Sequence, residues 1–361
     1  MIPNYIFSEV RDINENFRAR KRDTEFLSEA YQKLGYDKKA LRVFNCGSFL
    51  AFSHEIHDEG VLETDGKLFQ ANFCKDRLCP TCTWRRSLKI FGQISQIMEV
   101  LKNDYVYLFL TLTVPNCDPN DLRGCLKRMY KARTRLFRRK ETKCVKGVIS
   151  VSEITYNSKS DTMHPHLHNI LAVKKSYFSK SYLNNKDWQR LWYEAFYKDI
   201  LPVSRLVPDP GFMPGLLVVD IRRCKAKDVD DTEILSSAVA EVAKYSVKPG
   251  DYIYGDKELT AHVVNYLLQL YGCRMLSFSG VFRDAYQALN LEDAEGDDVD
   301  LIHINETFNK AVAHLITQFR WRAGCYIFDN SYILDPIADE ALEINKKRGK
   351  SNEKDRRTIC K

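Results

Sequence analysis

Residues 162–169 read Thr-Met-His-Pro-His-Leu-His-Asn, and no other run constrains the fold of this chain as tightly. Strand side chains alternate faces with a period of two, so His164, His166 and His168 share one face while Leu167 packs behind it. The apolar run Ile170-Leu171-Ala172-Val173 follows directly and predicts a strand over 164–173. The segment from Val148 to Tyr156 precedes it across the turn-like Asn157-Ser158-Lys159-Ser160-Asp161, which predicts a hairpin. On that hairpin Glu153 is well placed to complete a metal site with His166 and His168. His164 is a further ligand, a hydrogen-bond partner of one, or a phosphate contact.

A second group of reactive residues lies in Val239-Ala240-Glu241-Val242-Ala243-Lys244-Tyr245-Ser246-Val247-Lys248-Pro249-Gly250. Ile234, Leu235, Ala238, Val242 and Tyr245 recur at helical spacing, and Pro249-Gly250 ends the run, which predicts a helix over 232–246. Glu241 and Tyr245 fall one turn apart on the same face, and Lys244 and Lys248 flank the tyrosine with positive charge. Cations and a metal push a phenol toward phenolate, the form that attacks phosphorus. Tyr252 and Tyr254 follow the break and read as structural.

Of 11 cysteines, three fall in the spacing Cys74-x4-Cys79-x2-Cys82. A tetrahedral zinc site needs a fourth ligand, and Cys46 is the first choice, with His54 or His57 as replacements. The remaining cysteines are scattered and read as reduced thiols. The basic run Arg85-Arg86-Ser87-Leu88-Lys89 follows the cluster, so a zinc module is expected to present Arg85, Arg86 and Lys89 to DNA. Residues 121–146 hold 11 Lys or Arg against two acids. Leu122, Leu126, Met129, Ala132 and Leu136 give this stretch one apolar helical face, leaving Arg128, Arg135, Arg138, Arg139 and Lys140 for phosphate. Lys248 is counted with them. The Met1 end lacks an apolar signal segment, and no window reaches ~18 uncharged apolar residues, so a cytoplasmic chain with no membrane partner is expected.

Four of these segments occur in an order that resembles the rolling-circle replication initiators of small Gram-positive plasmids, within the HUH endonuclease superfamily. Phe109-Leu110-Thr111-Leu112-Thr113 is similar to the first motif, His164–His168 to the metal-binding second and Glu241–Tyr245 to the nucleophile motif. The cysteine-rich block 71–89 is similar to the family's upstream segment. The resemblance implies origin nicking. His166, His168 and Glu153 would hold Mn²⁺ or Mg²⁺, and Tyr245 would form a 5′-phosphotyrosyl bond. Glu241 would act as hydrolytic base at termination, with Lys244 beside the nucleophile. It implies plasmid origin DNA, a host helicase and a DNA polymerase as partners, and is compatible with an oligomer. A relaxase or single-strand transposase with the same chemistry, or a non-enzymatic zinc-bearing DNA-binding regulator, are the alternatives.

The predicted order β-α-β-β-α-β-α gives an α+β fold: an antiparallel HUH-nuclease-like sheet of the split βαβ, ferredoxin or RRM-like kind with helices on one face. The expected partition is a helical segment over 1–40, a cysteine-rich zinc-binding segment with its basic helix over 41–102 and a catalytic domain over 103–250. A helical region follows over 251–344 and a basic disordered tail over 345–361. Within that region helices are expected at Leu259–Leu270 and Phe308–Phe319, joined through a mobile acidic link at 292–300.

Overall fold

The alternating segments build two antiparallel sheets in the computed structural model, which describes residues 6–57, 66–198, 217–224, 239, 242–243, 248–304 and 312–334. The chain opens with helices α1 (Ile6–Lys33) and α2 (Asp37–Phe44). Strands β1 (Phe49–Glu55) and β2 (Lys67–Ala71) then lead into helix α3 (Pro80–Leu101). After β3 (Val106–Thr113) come α4 (Leu122–Leu136) and the long hairpin of β4 (Val145–Asn157) and β5 (Thr162–Val173). A short α5 (Tyr177–Lys180), α6 (Asn185–Tyr197) and β6 (Val219–Arg223) follow. The described chain ends with α7 (Lys257–Leu267), β7 (Leu276–Gly280), α8 (Val281–Ala288), β8 (His314–Arg322) and β9 (Cys325–Leu334).

Five strands in the order β6-β3-β5-β4-β7 form the central sheet. Its two faces follow from the pleat. Leu108, Leu110, Leu167 and Leu171 pack on one side with Met129, Ala132 and Leu136 of α4 and Trp188, Leu191 and Trp192 of α6. Phe109, Ile149, Val151 and Ile170 pack on the other with Ile90, Ile94 and Ile97 of α3 and Phe282 of α8. Each such side chain contributes about 1.5–3 kcal/mol on burial. Helices therefore cover both faces and not one, because both faces of these strands are apolar. Val239, Val242 and Ala243 are helical and join the second cluster. The rest of the predicted 232–246 helix, with Glu241, Lys244 and Tyr245, lies outside the described residues, as does the 345–361 tail.

The second sheet has the order β2-β1-β8-β9 and corrects the C-terminal expectation. Residues 314–319, read as part of a helix, are strand β8. Arg322 pairs with Cys325 across the two-residue turn Ala323-Gly324, where both residues take positive φ (50° and 79°), the geometry of a tight hairpin. The acidic stretch is pinned and not mobile. Glu295 accepts from the Met275 and Leu276 amides at 3.0 Å each, Glu292 pairs with Lys89, and Ala294 and Val299 are buried. At Gly280, with φ +54°, an added Cβ would stand 2.0 Å from the Lys146 carbonyl oxygen, so the step from β7 into α8 requires glycine.

Two candidate metal centres

The hairpin register sets the first centre. Glu153 on β4 lies directly opposite His166 on β5, Val151 lies opposite His168, and Thr111 on β3 flanks His168 from the other side. Glu153 and both imidazoles therefore share the face that carries Ile170 and Val151. The two Nε2 atoms converge on one oxygen, Glu153 Oε2, at 3.0 Å from His166 and 2.7 Å from His168. These three ligand atoms lie within 4.8 Å of one another. The other nitrogens are occupied: His168 Nδ1 meets Thr111 Oγ1 at 3.2 Å and His166 Nδ1 meets the His164 carbonyl at 3.3 Å. Such partners orient the rings and point the Nε2 lone pairs at a shared ion. An N,N,O donor set suits a divalent cation completed by water and phosphate.

Lys248 pairs with the second oxygen of Glu153. Burial alone would push the Glu153 carboxyl up, but hydrogen bonds from His166, His168 and Lys248 outweigh it and hold the group well below the usual carboxylate range. His164 is not part of the converging set. Its Nδ1 meets Asn116 Oδ1 at 2.8 Å, and burial with the neighbouring His166 lowers its pKa. Two residues missed in the sequence also border the centre. Asn116 is one; the other is Asp251, in the turn Pro249–Asp251 whose amide donates to the Lys248 carbonyl at 2.8 Å. Burial pushes the Asp251 carboxyl up while Lys248 pulls it down. One of its oxygens is buried with no hydrogen-bond partner, which costs about 1–3 kcal/mol. The Pro-Gly break announced a turn, but no spacing pattern links an acid there to the hairpin 80 or so residues earlier.

The second centre gathers Cys46, Cys74, Cys79 and Cys82, whose sulfurs lie within 4.8 Å of one another. Cys46 Sγ is 3.5 Å from both Cys79 and Cys82, and Cys74 is 3.7 Å from Cys82. A tetrahedron with metal–sulfur bonds of about 2.3 Å has edges of about 3.8 Å, so the four thiols fit one ion. Backbone amides of Cys74, Lys75 and Asp76 point at Cys46, Cys82 and Cys74 Sγ at 3.4, 3.2 and 3.4 Å. Burial opposes ionisation of Cys79, yet its contacts with the Cys46, Cys74 and Cys82 sulfurs hold its thiol well below the usual range. His54 is instead 3.2 Å from Thr317, and Cys46 supplies the fourth corner.

The expected DNA-contacting cations divide. Arg85 donates to the Leu301 and Ile302 carbonyls at 2.8 and 2.7 Å, and Arg86 to those of Lys75 and Asp76 at 2.6 and 3.1 Å. Lys89 pairs with Glu292. Arg86 and Lys89 are buried, holding the cysteine loop and the acidic stretch, while the half-buried Arg85 holds the segment just after that stretch. On α4, Arg128 pairs with Asp121 at 2.7 Å and Arg135 donates to the Ala195 carbonyl at 3.1 Å; just past its end Arg139 pairs with Glu194 at 2.5 Å. Arg138 is exposed.

The fold and its centres define an α+β protein with a His-His-carboxylate cluster on an antiparallel hairpin and a separate four-cysteine cluster upstream. The chain belongs to the Rep_1 family of replication proteins, whose pattern matches residues 65–327, and is a plasmid replication protein of that family. It is 36% identical over 304 residues to Protein rep of Bacillus amyloliquefaciens, covering 81% of this chain and 86% of that protein. Protein rep of Lentilactobacillus hilgardii is 35% identical over 322 residues (84% and 95%), and that of Streptococcus pneumoniae 34% over 297 (80% and 84%). No solved structure matches the chain. Among the described residues no helix is long and apolar enough to cross a membrane.

Proposed function

We propose that this protein initiates rolling-circle replication by nicking one strand of plasmid origin DNA and later rejoining it. The observation that carries the reading is the convergence of His166 and His168 Nε2 on Glu153 Oε2. These three side chains would hold Mn²⁺ or Mg²⁺, which when bound polarises the scissile phosphate and offsets its developing charge. Tyr245 attacks phosphorus through its phenolate oxygen. The P–O3′ bond breaks, the 3′-oxygen leaves and takes a proton to become the hydroxyl that a polymerase extends, and the strand's 5′-phosphate stays on the tyrosine. Lys244 and Lys248 favour the phenolate and the phosphate dianion-like charge beside it. Glu241 removes a proton from water at termination, so that hydrolysis ends the cycle with one tyrosine.

Thr111 and the His164 carbonyl keep the two imidazoles aimed at Glu153 throughout. The four cysteines hold Zn²⁺ and tie α3 to the N-terminal helices. Arg138, exposed just past the end of α4, supplies phosphate-facing charge, with Arg128, Arg135 and Arg139 able to join it by exchanging their partners for phosphate, and a host helicase separates the strands. Partition into a cysteine-rich segment over 41–102 and a catalytic domain over 103–250 follows the same reading.

Incubating the purified protein with origin-bearing single-stranded DNA and Mn²⁺, then running denaturing gels, tests it. The wild type is expected to give a 5′-linked adduct that Tyr245→Phe lacks and that accumulates in Glu241→Ala. No adduct with any divalent ion on a functional origin would overturn the reading.

A further inference from the structure

Asp251 is the charged group beside the His-His-Glu centre that the nicking mechanism leaves without a role. The turn that carries it begins at Lys248, which pairs with Glu153, and its Oδ2 is buried with no hydrogen-bond partner. It is not among the ligand atoms that lie within 4.8 Å of one another. The turn Pro249–Asp251 holds it in place: its amide donates to the Lys248 carbonyl and its carbonyl accepts from the Tyr254 hydroxyl, each at 2.8 Å. Buried carboxylate oxygens in folded proteins have donors, and next to a metal-capable cluster the water on a bound ion is a donor this oxygen is free to take. Hard divalent cations held by a few protein ligands keep several waters, and those waters are strong donors.

We propose that Asp251 is an outer-sphere positioning residue for the ion held by His166, His168 and Glu153, its Oδ2 accepting a hydrogen bond from a water bound to that ion. The proposal rests on the reading of this triad as the nuclease metal centre. Asp251 then orients the hydrated cation, and its negative charge balances Lys248, which otherwise opposes cation entry beside Glu153.

The test is Mn²⁺ titration of the full-length protein without DNA, following free ion by electron paramagnetic resonance, for wild type, Asp251→Asn, Asp251→Ser and His166→Ala. Outer-sphere partners of metal sites are worth about 10- to 100-fold in affinity, and that weakening is expected in both Asp251 variants with zinc content and melting temperature unchanged. The number of waters on bound Mn²⁺, read from ¹⁷O line broadening, should equal that of the wild type, since an outer-sphere group displaces none. Affinity within twofold of wild type in both Asp251 variants, while His166→Ala abolishes binding, would overturn this inference alone. A gain of one bound water would make Asp251 a direct ligand and also overturn it. Unchanged binding in His166→Ala would instead remove the triad reading, and this inference with it.

Discussion

The cysteine cluster is sealed where the histidine cluster is open. Cys79 and Cys82 have no exposed surface, Cys46 is 1% exposed and Cys74 is half-buried, whereas the side chains of His166 and His168 are 14% and 10% exposed and that of Lys248, paired with Glu153, 44%. Four thiols close a tetrahedron and leave no position for a reactant; two imidazoles and a carboxylate leave several. In metal sites generally, that difference separates an ion that holds a fold together from one that meets a substrate. The surroundings agree. The cysteines sit at the N-terminus of α3, ringed by Arg86 and the buried Asp76, which in turn binds Tyr31 and Tyr271 at 3.1 and 2.7 Å. The histidines sit on the central hairpin, largely buried, with the half-exposed Lys248 beside Glu153.

The largest expected effect comes from breaking the closed centre. Cys79→Ser should lose zinc and unfold the cysteine-rich segment, since structural zinc contributes about 10–16 kcal/mol to small zinc modules; metal analysis with thermal melting reads this, and an unchanged melt would erase the contrast. Next, His166→Ala should lower nicking about 10³-fold, the equivalent of about 4 kcal/mol of charge stabilisation, while the melting temperature hardly moves. A large fall in stability there would make the open centre structural too. Gly280→Ala, opposite Gly147 at the end of β4 away from Glu153, should destabilise the protein by about 1–3 kcal/mol through the positive φ and the Lys146 carbonyl, with metal content intact. Thr111→Val removes the partner of His168 Nδ1 and should weaken Mn²⁺ binding about tenfold without touching zinc, as isothermal titration would reveal. Smallest of all, Arg138→Ala should reduce DNA affinity uniformly across sequences and lower the salt slope by about 1; a sequence-selective loss would give this residue a different role.

Much of this contrast was legible in the sequence because both centres are local. His166 and His168 are two apart on a strand, and a hairpin brings Glu153 opposite them, so period-two alternation suffices. Cys74, Cys79 and Cys82 lie within nine residues, and Cys46 joins them from the C-terminal end of α2. Reading failed where long-range packing decides. Phe308, Val312, Leu315 and Phe319 fall at helical spacing, yet 314–319 is a strand because β1 offers it an edge, Leu50 opposite Phe319. Charge misled in a similar way. Glu292 and Glu295 looked like a solvated link, and Arg86 and Lys89 like a DNA face, but they satisfy one another and the backbone inside the fold. Net charge in a window says nothing about partners 200 residues away, and Asp251 was missed for the same reason.

Crystals grown with Mn²⁺, measured at the zinc and manganese absorption edges, test the division most directly. The account predicts a zinc-edge anomalous peak inside the Cys46, Cys74, Cys79 and Cys82 tetrahedron and a manganese-edge peak between His166, His168 and Glu153. A cysteine cluster without metal, or a histidine cluster that takes no Mn²⁺ while its side chains stay paired to one another, would contradict it.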